Sequence, residues 1–171
     1  MDRQPMGRAA GANVPQERVS YTLETRQVVA TGLGMGALVA TLDGMIPVEF
    51  LTPGERMVTR AGLRVLRAVS AMPFVKRLVR VAPGALGHDR PGQALLLGAQ
   101  TQVFLRDWRA QALFGQREAL VAVERLVDGQ FVTRIEGARA RLYTLIFDEP
   151  EVIYADGVEI GCGAMAVASA K

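Results

Sequence analysis

Residues 36 to 59 read GALVATLDGMIPVEFLTPGERMVT, and the order of turns in this stretch decides the fold. Ala37 to Thr41 is a short apolar run that ends at Asp43-Gly44. Asp-Gly is a strong short-range hairpin signal because both positions tolerate positive φ. Ile46, Val48 and Phe50 then alternate with Pro47 and Glu49, which predicts a second short strand. Thr52-Pro53-Gly54 closes that strand before Arg56 to Arg60 opens a third. Strand, turn, strand, turn, strand in so little sequence describes a tightly folded β unit.

The bulk properties set the frame for that unit. A chain of 171 residues suits one domain that buries about 70% of its unfolded surface. Half the residues are hydrophobic and 22% are charged, a globular composition far from that of disorder. The longest apolar run, Val28 to Ala40, is broken by three glycines and falls short of the roughly 20 residues needed to cross a bilayer. No membrane span is expected. The N-terminal MDRQPMGRAAGANVPQER lacks the apolar core of a secretion signal, which points to the cytoplasm and leaves non-classical secretion open.

Cysteine and histidine are scarce enough to exclude whole classes of chemistry. Cys162 stands alone, so an internal disulfide and a Cys-based zinc cluster are ruled out. His88 is the one histidine, and it falls in the surface loop His88-Asp89-Arg90-Pro91-Gly92. No cofactor and no metal is expected. Asp148, Glu149 and Glu151 lack a glycine-spaced ligand loop and read as a solvated acidic turn. The formal charge of +3 rests on 18 arginines against 2 lysines. These are spread along the chain, as the codon bias of a GC-rich genome would leave them, and give only weak support to a nucleic-acid or anion site on the Arg-rich strands 64 to 80.

Taken in order, residues 1 to 18 form a flexible basic arm, residues 19 to 160 the domain, and residues 161 to 171 a small, Ala/Gly-rich tail. Val19, Tyr21 and Leu23 alternate and predict a strand that leads in. The glycine string Thr31 to Gly36 is followed by strand-like sequence, which speaks against a phosphate loop opening a helix. LRVLRAVSA at 63 to 71 and FVKRLVRV at 74 to 81 are read as two strands separated at Met72-Pro73. Further strands are expected at 94 to 97, 101 to 105, 131 to 135, 141 to 147, 151 to 154 and 158 to 160, the last two joined by Asp156-Gly157. Asp107-Trp108-Arg109 reads as a turn with Trp108 as a partly buried anchor. QREALVAVERLV at 116 to 127 carries an apolar face and predicts the one substantial helix, ended by Asp128-Gly129.

The opening block, with Val48-Glu49-Phe50-Leu51-Thr52-Pro53-Gly54-Glu55 after it, resembles that of bacterial Hint domains, the self-processing fold shared by inteins and hedgehog C-terminal segments. The family pattern reads roughly Cys-Phe-x-x-Gly-Thr-x-Ile-x-Thr-x-x-Gly, then Val-Glu-x-Leu-x-x-Gly-Asp. Pro83-Gly84-Ala85-Leu86-Gly87 is similar to the turn that precedes the family's second block. The resemblance covers roughly residues 30 to 160. It implies an all-β fold with one or two short helices and a pseudo-two-fold repeat, to which the recurring Asp-Gly pairs at 43, 128 and 156 add weak support.

It also implies a reaction, and here the residues depart from the pattern. Hint domains cleave by an acyl shift, in which a Cys, Ser or Thr side chain attacks the preceding carbonyl while a histidine protonates the scissile amide. Aligning Gly36, Thr41 and Gly44 puts the nucleophile position at Gly32. The second-block histidine falls on Thr101, with Gly98 replacing the polar residue three before it. The C-terminal histidine positions fall on Thr144 and Pro150. Thr31, one residue from the expected place, is the single hydroxyl that could replace the nucleophile. Cys162 lacks the histidine or basic cluster that would activate a thiol. The resemblance thus implies a scaffold without its chemistry, acting as a binding or structural module with a protein partner or assembly. Its cleft would clamp the chain's own strand near Val28 to Leu33, or a partner's strand, by β-addition. Residual self-cleavage at Thr31 and anion binding are the alternatives.

Overall fold

The computed structural model describes residues 30 to 165. The leading strand expected at Val19 to Leu23, the arm before it and the last six residues lie outside this range. The elements are β1 (Leu33–Gly34), β2 (Leu38–Thr41), β3 (Gly44–Pro47), β4 (Arg56–Thr59), β5 (Gly62–Val65), β6 (Ala68–Val75) and β7 (Leu78–Val81). After these come β8 (Leu95–Gly98), β9 (Gln102–Leu105), α1 (Trp108–Phe114), β10 (Ala119–Ala122), β11 (Val132–Ile135), β12 (Ala140–Phe147), β13 (Glu151–Ala155) and β14 (Val158–Ala164). Among the described residues no helix is long and apolar enough to cross a membrane.

The strands join into one folded-over sheet in the order β11-β7-β8-β1-β12-β14-β13-β2-β4-β5, with β6 on β12, β3 on β2, and β9 carrying β10 on β14. Strand β12 is the spine. It pairs antiparallel with β1 and β6 and parallel with the end of β14. Phe147, Leu145, Met57, Leu66, Leu95, Leu97, Ile153 and Ile160 pack into the main core. A smaller apolar group, Ala30, Val75, Leu78 and Leu142, packs separately.

The opening block owes its shape to two threonines. Thr41 donates its hydroxyl to the Gly44 carbonyl at 2.8 Å and accepts the Asp43 N–H at 3.1 Å, which locks the β2–β3 turn. Thr59 repeats the device across β4–β5, donating to the Gly62 carbonyl at 2.7 Å and accepting the Ala61 N–H at 3.2 Å. The Val48-Glu49 and Thr52-to-Glu55 motifs also have visible work. Val48 is fully buried, and Glu49 accepts the Gly36 N–H at 2.8 Å, tying the first turn to the block. Glu55 accepts both the backbone N–H and the hydroxyl of Thr52 and so closes the second turn. The β13–β14 hairpin turns at Asp156-Gly157 with positive φ at both residues, as the dipeptide predicts.

Several local expectations are corrected. The second strand stops at Pro47, and Val48 to Phe50 form a 3-10 turn that buries Val48 and leaves Phe50 exposed. Pro73 does not separate two strands: β6 runs through it, because Pro73 and Phe74 fall in a bulge where the register with β12 shifts between Leu142↔Met72 and Ala140↔Val75. A bulge needs no N–H from the proline. The actual breaks are at Leu66-Arg67 and Lys76-Arg77. Residues 116 to 127 are not a helix. Ala119 and Val121 alternate inward on β10, which pairs with β9, and a 3-10 turn then buries Val123 and Leu126. The apolar pattern suits this strand plus turn as well as it suits a helix, and pairing with β9 decides between them.

Among the described residues the one α-helix instead runs from Trp108, where a turn is expected. Asp107 caps it by accepting the Arg109 N–H, and Gly115 ends it in the left-handed region with φ 67°. Trp108 is exposed, not a buried anchor. Strand β14 continues to Ala164, into the stretch that the sequence reading sets beyond the domain.

Candidate functional site

The segment Ala30 to Gly34 is held on both sides. Leu33 pairs with Leu97 of β8 and with Tyr143 of β12. Upstream, the Gly32 carbonyl accepts the Gly98 N–H at 3.0 Å, and the Ala30 carbonyl accepts the Gln100 N–H at 2.8 Å. The chain can lie this close only because of two glycines. A Cβ at Gly98 would stand 2.4 Å from the Ala30 carbonyl oxygen, and one at Gly32 would stand 2.7 Å from the Tyr143 carbonyl oxygen. Gly32 also has φ +128°, a backbone conformation that side chains disfavour.

The family-matched positions converge here. The buried Thr101 hydroxyl accepts the Gly32 N–H at 2.9 Å and donates toward the Gly32 carbonyl at 3.1 Å. The Thr144 hydroxyl donates to the Thr31 carbonyl at 3.3 Å. The peptide bond from Thr31 to Gly32, where a relative would be cut, thus lies between two threonines. The resemblance aligns Gly32, Thr101 and Thr144 with the family's reacting positions; in the structure Thr101 bonds Gly32 and Thr144 bonds the adjoining Thr31.

What the arrangement can do chemically is narrow. The Thr144 hydroxyl polarises the carbonyl that an acyl shift attacks, but Gly32 carries no side-chain nucleophile to attack it. The Thr101 oxygen accepts from the Gly32 amide, and its proton is turned to the Gly32 carbonyl, so this group does not act as an acid toward the amide nitrogen. Pro150 lies on the rim of a neighbouring cleft of about 480 Å³, which Thr31, Gln100, Glu151 and Cys162 also line.

The remaining sequence candidates are committed elsewhere. Burial, reinforced by the Glu151 charge, pushes the Cys162 thiol up to about 12, which leaves it protonated and unreactive near neutral pH. Glu151 is buried, accepting from Arg64 at 2.9 Å, with the Thr59 hydroxyl oxygen 3.2 Å from its other carboxylate oxygen. Asp148 forms a two-point pair with Arg67 whose hydrogen bonds hold its carboxyl below the usual range. Arg77 pairs with Glu124 at 2.8 Å, so three cations of the segment 64 to 80 face carboxylates. His88 is exposed in its loop with φ 52°.

Reading the sequence missed the close-packing role of Gly98 and the surface made by α1. The helix did have a signal, since Asp107 and Gly115 bracket it as cap and stop.

Comparison with known proteins sets this geometry in a family. The structure is similar to a bacterial intein-like domain from Clostridium thermocellum, with a TM-score of 0.56 at 10% identity, covering 78% of this chain and 98% of that one. It is also similar to the MchDnaB-1 intein (TM-score 0.49, 13% identity, 77% and 99% covered) and to the gp41-1 intein (TM-score 0.49, 10% identity, 75% and 96% covered). At such identities the likeness is one of fold. No curated protein matches the chain in sequence. The family model described as the Hint domain matches residues 31–162, a span that begins one residue before Gly32 and takes in Thr101 and Thr144, and the chain therefore belongs to the Hint domain family.

Proposed function

We propose that this Hint domain does not cleave its own chain and serves as a binding or structural module. The observation that carries the reading is the state of residue 32. The position that must attack is a glycine, it has no room for a side chain, and its amide is engaged by a threonine hydroxyl in place of a proton donor. A self-processing relative needs a nucleophile and a general acid at these places, and neither group can be supplied by Gly32, Thr101 or Thr144. The strand held between β8 and β12 supports a structural use of the same cleft. The pairing of Arg64, Arg67 and Arg77 with carboxylates leaves less positive charge on strands 64 to 80 for a phosphate backbone.

The test is the intact mass of the purified chain after prolonged incubation with and without hydroxylamine or a thiol, reagents that trap ester and thioester intermediates. A single full-length mass under every condition is expected. Fragments divided near residue 31 would overturn the reading and name Thr31, attacking the Ala30 carbonyl, as the nucleophile. A Thr31→Ala variant that stays intact would then confirm that assignment.

A further inference from the structure

Away from the threonine-held segment, the helix that the sequence does not announce builds one wall of an apolar groove. Helix α1 buries only Ala110 among its seven residues, and it turns Trp108 and Leu113 outward. Both line a groove of about 480 Å³, together with Phe131 from the loop before β11. These three side chains are 68%, 55% and 51% exposed, a costly arrangement for large apolar groups that share one concavity over the buried Leu86, Leu126 and Val132. The volume falls in the range of ligand-binding clefts, and exposed tryptophan at a pocket edge is typical of interface anchors.

The charges around the groove decide what it fits. Arg109 is fully used: it bonds Asp107 at 2.8 Å and the carbonyls of Leu86 and Ala85 at 3.3 and 3.0 Å, tying the loop to the helix. Asp128 is used as well, its carboxylate accepting the N–H groups of Gln130, Phe131 and Val132. Arg125 differs. Its guanidinium lies over the Phe114 ring, 4.6 Å from the centroid, and among the described residues it has neither a carboxylate nor a hydrogen-bond partner. A guanidinium over an aromatic ring still has N–H groups to offer an incoming carboxylate.

We propose that this groove docks an extended segment of a partner protein in which an apolar side chain stands next to an Asp or Glu. The apolar side chain enters between Trp108, Leu113 and Phe131, and the carboxylate meets Arg125. The site is independent of the Thr31-Gly32 bond, so its fate is separate from that of the non-cleaving reading.

Trp108 is the single tryptophan of the chain, and its emission reports occupancy of the groove directly. Dodecamer peptides are selected on the immobilised full chain from a random display library, synthesised, and titrated against it by fluorescence. The expected binders carry an apolar residue beside Asp or Glu and shift the Trp108 emission saturably. Arg125→Gln is expected to weaken them about 10-fold, as is replacing the peptide's acid by its amide. Leu113→Ser is expected to weaken them further. Both substitutions are at exposed positions, and far-UV circular dichroism checks that the fold is kept. Failure to enrich any peptide over the Leu113→Ser chain would overturn the proposal, as would binders without an acidic residue or binders indifferent to both variants. An emission shift that grows with protein concentration alone, with a dimer in sedimentation, would also overturn it by assigning the groove to a second copy.

Discussion

The Thr101 hydroxyl grips Gly32 at two points, accepting its N–H at 2.9 Å and donating toward its carbonyl at 3.1 Å, across 69 residues of sequence. This contact, made in the buried interior, holds the family's reacting position as plain backbone. Thr101→Val keeps the shape and removes the acceptor, leaving the Gly32 amide unsatisfied. The expected loss is about 2 kcal/mol of unfolding free energy in urea denaturation, with Thr101→Ser close to the parent.

A thiol introduced at residue 32 is expected not to confer self-cleavage. Gly32→Cys places a Cβ within 2.7 Å of the Tyr143 carbonyl oxygen on a backbone at φ +128°, and it finds no histidine at Thr101. The variant is expected to lose about 2 kcal/mol or more in denaturation and to remain a single full-length species by mass.

Gly98 is the second point of close approach. Gly98→Ala would set a methyl 2.4 Å from the Ala30 carbonyl oxygen and 2.8 Å from Leu142, so backbone must shift. The expected cost is about 2 kcal/mol. Hydrogen exchange gives the sharper check: the Gly98 and Gln100 amides, which bond Gly32 and Ala30, should lose protection before the β13–β14 hairpin does.

On β14, Glu159 is buried with neither carboxylate oxygen hydrogen-bonded, and its charge is met by Arg106 Nη2 at 3.2 Å. Removing the half-exposed arginine strands a buried anion, so Arg106→Leu is expected to cost about 2 kcal/mol or more. Replacing both residues by leucine should recover most of that loss. The difference is read in a double-mutant cycle of denaturation free energies.

Asp156, at the β13–β14 turn, accepts the Leu38 N–H at 3.2 Å, yet burial raises its carboxyl above the ordinary range. A raised value in the folded state means that the folded chain holds the proton more tightly than the unfolded one. The ionised group therefore costs stability at neutral pH, and the cost fades as pH falls through the raised value toward the ordinary one. Asparagine also tolerates the positive φ of this position and keeps an acceptor. Asp156→Asn is expected to be at least as stable as the parent at pH 7, with its advantage shrinking toward pH 4 in urea titrations at the two values.

Local chemistry was enough for part of this fold. Asp43-Gly44 and Asp156-Gly157 name their hairpins because turn preference is local: Gly44 takes positive φ in the first, and Asp156 and Gly157 both take it in the second. The block from Gly36 to Thr59 holds its own turns through Thr41, Thr59 and Glu55, all bonded within a few residues of themselves. Residues 116 to 127 could not be read this way. Alternation and helical periodicity overlap in ALVAVERLV, and the choice rests on pairing with β9, which lies in a different part of the chain.

The site divides along the same line. Its candidate positions came from the family resemblance, which aligns Gly32 with the nucleophile and Thr101 and Thr144 with histidines. The sequence by itself therefore determined the fold family and the residue types at the reacting positions. Only the tertiary structure decided that Thr101 clamps Gly32, that Gly98 lets Ala30 close in, and that Trp108 faces solvent. Each of these depends on contacts across tens of residues or more, where distance along the chain carries no information about distance in space.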